Sequence, residues 1–188
     1  MKLLPLDTPE IIEFAAGWLG KKENYQWLDF GNGRQVATPA LLKIMAQRET
    51  HLLRVYTSGR DDMPIGIVGL NGVDRTFRTA TYWVVAGDKS IQNRGYATFA
   101  LSKLLSLGFR DLGLHSINTW VVDHNPSLRI VQRLNCRFIG RQRQCHTIDG
   151  RLYDRLLFDL LASEHRELDE ERWHRIERAH QEAVCEEP

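Results

Sequence analysis

The strongest chemical signal in the chain is Gln92-Asn93-Arg94-Gly95-Tyr96-Ala97. An apolar run, Tyr82-Trp83-Val84-Val85-Ala86, precedes it, and a helix-patterned run over 96–112 follows. Strand, basic glycine turn and helix start in that order form an anion cradle. Successive backbone N–H groups point inward there, and the positive end of the helix dipole favours phosphate. No Lys-Ser/Thr pair follows the glycine, so the motif is not a P-loop. No second glycine sits three residues on, so it is not a dinucleotide-binding fingerprint.

Two other clusters carry reactive side chains. Asp123-His124-Asn125-Pro126-Ser127 gathers an acid, an imidazole, an amide and a hydroxyl at the end of a strand-patterned run. The stretch 20–36 is rich in Gly, Asn and Lys, yet holds Tyr25, Trp27, Asp29 and Phe30. A long loop with that many aromatics often lines a site. Cys136, Cys145 and Cys185 have no metal-ligand spacing, and neither do His165, His174 and His180, so no metal is expected. The scattered cysteines fit reduced thiols and a cytoplasmic setting.

The elements that must position these residues follow from periodicity and punctuation. Thr8-Pro9, Thr38-Pro39 and Asn125-Pro126 each place a capping side chain before a proline, predicting three helix starts. Runs at 51–57, 64–73 and 77–86 predict an antiparallel meander. The helix after Gly95 has one apolar face (Ala97, Ala100, Leu101, Leu104, Leu105) and ends at Gly113. Residues 116–123 predict a strand and 125–135 a short helix. Residues 136–147 and 152–161 predict a hairpin about Asp149-Gly150. From Ser163 the charged tail predicts an appended amphipathic helix, with Leu168, Trp173, Ile176 and Ala183 at loosely helical spacing. The order β-α-α-β-β-β-α-β-α-β-β predicts an α+β fold, a mixed sheet of about seven strands with helices on its faces. A parallel crossover in its middle brings 84–97 beside 123–127. The expected division is a domain over 1–162 and a helical extension over 163–188.

Composition limits the partners. The 188-residue chain has a net charge of +1, 43% hydrophobic and 26% charged residues. That is one ordinary globular domain, without the broad basic footprint that nucleic acid requires. No apolar run is long enough to span a bilayer.

The ordered set Tyr82-Trp83-Val84, Gln92 to Thr98, Asn125-Pro126-Ser127-Leu128-Arg129 and Asp149-Gly150-Arg151 resembles the GNAT N-acetyltransferase superfamily. Within it, the branch of ribosomal-protein alanine and spermidine acetyltransferases fits best. The resemblance covers about residues 1–165 in element order. It implies the acyl-CoA N-acyltransferase fold, with a centrally splayed sheet, acetyl-CoA as donor and a primary amine as acceptor. It also implies that Gln92, Asn93, Arg94, Gly95, Tyr96, Ala97 and Thr98 hold the pyrophosphate, and that Val84 and Val85 offer backbone groups to pantetheine and the thioester. Either His124 or Asn125 fills the family's usual asparagine slot. Thr79 stands where branch members often carry a glutamate that serves the acceptor.

Amine acetylation is one nucleophilic attack followed by departure of a thiolate. An alkylammonium, with a pKa of about 10, must first lose its proton, and the developing oxyanion needs fixed donors. Ser127 is the candidate to orient or protonate the sulfur, and Asp123 or His124 to take the amine proton through water. Asn125 also reads as a simple helix cap. Tyr25, Trp27, Asp29, Phe30, Thr79 and Tyr82 are the acceptor-side candidates. The acceptor expected is a polyamine, amino sugar, amino acid derivative or protein N-terminus. The competing reading, kept open by Thr79, is a non-catalytic acetyl-CoA-binding sensor or scaffold. The C-terminal helix either caps its own domain or pairs with a second copy in a homodimer.

Overall fold

The computed structural model describes residues 1–29, 37–58, 62–87, 89 and 95–169. Its elements run β1 Leu3–Pro5, α1 Pro9–Leu19, α2 Lys22–Tyr25, α3 Pro39–Gln47, β2 His51–Thr57, β3 Pro64–Asp74 and β4 Thr79–Ala86. They continue with α4 Tyr96–Arg110, β5 Ser116–Val122, α5 Leu128–Arg133, β6 Arg137–Ile148 and β7 Arg151–Leu161. The seven strands form one mixed sheet in the order β1-β2-β3-β4-β5-β7-β6. β4 and β5 are its parallel pair, with α4 as their crossover.

Two helix starts behave as capping chemistry dictates. The Thr8 and Thr38 side chains accept from the Ile11 and Leu41 amides at 3.4 and 3.2 Å, each with proline opening the helix. Such caps contribute about 1 kcal/mol each. The third start is displaced. Asn125 accepts the Ser127 N–H at 2.8 Å in an Asx turn, and α5 begins only at Leu128.

The apolar faces are buried on both sides of the sheet. On one, Leu101, Leu104 and Leu105 of α4 pack against Leu70, Ile117 and Leu160. On the other, Ile12, Ala15 and Leu19 of α1 and Leu42 of α3 cover Leu53, Val55, Ile67 and Val85. Asp149 and Gly150 both take positive φ, 50° and 78°, as a tight turn between β6 and β7 demands.

Three further expectations need correction. The stretch 20–36 is not loop throughout: 22–25 form α2. The strand expected from Phe77 starts at Thr79, because Asp74 Oδ1 accepts the Thr76 and Phe77 amides and closes a turn. The tail leaves β7 without helix over 163–169. That segment lies along α4, where the Leu168 amide donates to Ser102 Oγ at 2.9 Å and His165 Nε2 meets Ser106 Oγ at 2.8 Å. The rest of the expected C-terminal helix lies outside the described residues.

Candidate active site

The parallel pair is bonded only at its start. The register Thr79↔Ser116, Ala80↔Ile117, Thr81↔Asn118 ends there, although β4 continues to Ala86 and β5 to Val122. β3 stays with β4 as far as Ala86, and β7 stays with β5 as far as Val122. Each strand follows its outer neighbour, so the two part. Thr119, the first β5 residue past the last pair, donates its hydroxyl to the Tyr82 carbonyl at 3.0 Å. A side-chain bond takes over where the backbone ladder stops.

That bond shows that the Tyr82 carbonyl aims at β5. Main-chain polar groups alternate in direction along a strand, so those of Val84 aim the same way, into the gap. Those of Val85 face β3 instead, and its carbonyl receives the buried Tyr56 hydroxyl at 3.3 Å. The structure thus separates two residues that the sequence leaves equivalent.

The gap opens into a cleft of about 790 Å³. On the α4 side it reaches Gly95, Tyr96, Ala97 and Thr98, and passes Asn125, Ser127, Arg129 and Arg133. Gly95 is the N-cap of α4 at φ 89°, ψ −9°, a conformation that costs glycine little and other residues much. The first turn of this 15-residue helix holds no acidic side chain. It presents amides that the helix itself leaves unbonded, at the positive end of its dipole. Ser127 makes no capping bond with its hydroxyl. Gln92, Asn93 and Arg94 lie outside the described residues.

The other side of the cleft is aromatic. Trp27, Leu28, Trp83 and Trp120 line it together with Glu23 and Asp29. Trp83 packs closely on the Gly69 backbone, where an added Cβ would sit 2.5 Å from the ring. The 22–29 segment is strapped to the β6–β7 hairpin by three links. Lys22 pairs with Asp149. His146 Nε2 meets the Gln26 carbonyl at 2.7 Å. Arg155 Nη1 pairs with Asp29 at 2.9 Å.

These links define the state of His146. Its Nε2 faces a carbonyl and must donate. Its Nδ1 faces Arg155 Nη2 at 3.0 Å and must accept. The ring is therefore the neutral Nε2–H tautomer. Burial, with Arg155 and His124 adding to it, holds its pKa below the usual histidine value against the Gln26 bond and Asp29. Arg155 also stacks over Trp120, 3.8 Å from the ring centroid.

The remaining candidates are distributed as follows. His124 sits edge-on to Trp27 at 5.3 Å and against Tyr153 at 4.5 Å, with Nδ1 3.3 Å from Asp123 Oδ1. Neither His124 nor Asp123 lines the cleft itself. Tyr25 ends α2 away from the lining, and Thr79 stands at the bonded end of β4. Tyr82 borders the cleft but lies buried in the α4-side core, its hydroxyl 3.4 Å from Cys136 Sγ. Phe30 lies outside the described residues. Trp27, Asp29 and Tyr82 are thus the acceptor-side candidates that line the cleft.

Sequence reasoning missed Thr119, Trp120, His146 and Arg155. Arg155 carried a signal: a cation inside the apolar run of β7 needs a partner. Among the described residues no three His, Cys, Asp or Glu side chains gather as a metal site, and no helix is long and apolar enough to cross a membrane.

Comparison with known proteins agrees with this geometry. The chain is 31% identical over 105 residues to the uncharacterized N-acetyltransferase p20 of Bacillus licheniformis, 55% of this chain and 58% of that protein. It is 29% identical over 83 residues to the uncharacterized N-acetyltransferase YnaD of Bacillus subtilis, 44% and 48% of the two chains. The matches thus span about half the length of these relatives. Among solved structures, spermidine N-acetyltransferase from Vibrio cholerae in complex with CoA and spermine superposes with a TM-score of 0.75. That likeness covers 87% of this chain and 96% of the other at 18% identity, a likeness of fold. Residues 3–137, which carry the parted strands and the glycine-led helix between them, match the acetyltransferase (GNAT) domain, and the chain belongs to that family.

Proposed function

We propose that the protein transfers the acetyl group of acetyl-CoA to a primary amine by direct attack within a ternary complex. The observation that carries this reading is the parting of β4 from β5 after Thr81 and Asn118. It leaves the Val84 main chain facing a cleft that ends at the first turn of α4.

The residues present fit acetyl-CoA. Strand-edge amides at Val84 suit an amide-bearing pantetheine arm. Gly95 to Thr98 suit a diphosphate, with no carboxylate in that turn to repel it. Arg129 and Arg133 add positive charge to the same side. When bound, acetyl-CoA supplies the activated acyl carbon and a thiol leaving group. The Val84 N–H stabilises charge on the carbonyl oxygen. Ser127, its hydroxyl not used as a cap, donates to the departing sulfur. His124, with Asp123 at its Nδ1, takes the amine proton through water. Trp27 and Trp120 wall the acceptor.

Thiol release from acetyl-CoA in the presence of a panel of amines tests the reading. Release that depends on one class of amine is expected. Tight acetyl-CoA binding without release from any amine would replace this function with that of a sensor or scaffold.

A further inference from the structure

The acceptor side of the cleft holds two carboxylates among its described lining residues, Glu23 and Asp29. Each is already faced by a cation of the protein. Asp29 is ion-paired to Arg155. Glu23 lies within electrostatic reach of the Lys89 ammonium, which is fixed by its 2.6 Å bond to Asn24 Oδ1. Asn24 in turn donates to the Trp18 carbonyl at 2.8 Å. The rest of this wall is flat and apolar: Trp27, Leu28, Trp83 and Trp120.

Taking the cleft as an amine-acetylation site, we infer that Arg155 sets acceptor selectivity. By neutralising Asp29 it makes this wall fit a singly charged amine on a flat apolar body and reject polycations. Arg155 is held for the task from three directions. His146 Nδ1 accepts from its Nε and Nη2 at 3.3 and 3.0 Å, Trp120 lies beneath its guanidinium at 3.8 Å, and Asp29 takes Nη1 at 2.9 Å. A polycation needs an acceptor or counter-charge for each ammonium it buries. Here it would meet one carboxylate already paired to Arg155 and a second within electrostatic reach of Lys89, and unmatched charge placed beside like charge weakens binding. An aromatic monoamine needs one polar contact for its ammonium and gains the indole faces for its body.

The test is calorimetric binding of tryptamine and of spermidine to the CoA-bound protein, with thiol release from acetyl-CoA followed in parallel. The wild type should bind tryptamine at least about tenfold more tightly than spermidine. Arg155→Met, which frees Asp29, should improve spermidine binding by about tenfold, and adding Asp29→Asn should remove that gain. Arg155→Lys, which keeps the charge, should retain the wild-type preference and guards against a fold defect in the methionine variant. Spermidine binding the wild type as tightly as tryptamine would overturn the inference. So would an unchanged preference in a folded Arg155→Met protein. The two readings fail separately: absence of thiol release with every amine defeats acetyl transfer, while the binding ratio still decides selectivity.

Discussion

The two walls of the cleft are built from different material. The α4 wall is main chain: the Val84 strand edge, the left-handed Gly95 and the opening amides of a 15-residue helix. The opposite wall is side chain: Trp27, Asp29 and Trp120 line it, held by Arg155 and His146, so that four separate stretches contribute. A backbone wall recognises what every donor molecule of one kind shares, namely amides and phosphates. A side-chain wall is re-cut by single substitutions. On the proposed function the same division separates a constant donor from a variable acceptor, so substitutions on the two walls should fail in different ways.

The largest effect is expected on the α4 wall. Gly95→Asp forces a side chain into a left-handed conformation and sets a carboxylate at the positive end of the helix, where an anion must approach. Acetyl-CoA affinity should fall at least about 100-fold by calorimetry, several kcal/mol in all. Unchanged affinity would show that this turn does not hold the donor. Next comes Ser127→Ala. A single proton donor is worth about 100-fold where the leaving group needs it, and somewhat less for a thiolate of pKa about 8.5. Turnover should fall while acetyl-CoA affinity holds. Equal rates in variant and wild type would remove Ser127 from the chemistry.

Thr119→Val probes the seam between the walls. Valine keeps the shape but leaves the Tyr82 carbonyl without its donor at a buried position, a cost of about 1–3 kcal/mol. The strands then lose the bond that fixes how they part. A fall of about tenfold in kcat/KM for acetyl-CoA is expected, with Thr119→Ser restoring most of it. If valine matched wild type in both rate and Tm, the backbone alone would be setting the gap.

The two walls also differ in how far they were legible. The α4 wall is written in contiguous residues, and its chemistry is that of turns and helix ends. The sequence therefore places Gly95, the helix after it and the Asn125–Ser127 corner beside Val84 without knowledge of any distant contact. It could not separate Val84 from Val85, because strand-edge direction depends on which neighbour departs. The acceptor wall depends on pairings between remote positions. Arg155 meets Asp29 126 residues away, and His146 meets Gln26 120 residues away. Periodicity marks each as a polar residue in or near a strand and says nothing of its partner. The tail misled for the opposite reason. Leu168 repeats at helical spacing in sequence, yet it packs against the core from a segment that follows α4 without helix.

The smallest effect tests whether the acceptor wall depends on one proton. His146 is neutral, donating to Gln26 and accepting from Arg155, with Asp29 and His124 as the other charges that act on it. Its folded-state pKa lies below the ordinary value, chiefly through burial. Above the ordinary histidine pKa of about 6.5 both folded and unfolded chains carry it neutral, and it costs nothing. As pH falls below that value the unfolded chain takes up the proton first, so folded stability declines until the folded-state pKa is passed. The bound proton would replace the Nδ1 acceptor with a second cation beside the guanidinium, which loosens Asp29 and the 22–29 segment together. His146→Gln supplies an amide donor and an acceptor without a titrating group. Wild type should therefore lose a few degrees of Tm relative to this variant between pH 7.5 and 5, a range set by the unperturbed value of about 6.5. Parallel pH profiles for the two proteins would mean that His146 does not report the charge state of this wall, and that Arg155 is held by Asp29 and Trp120 alone.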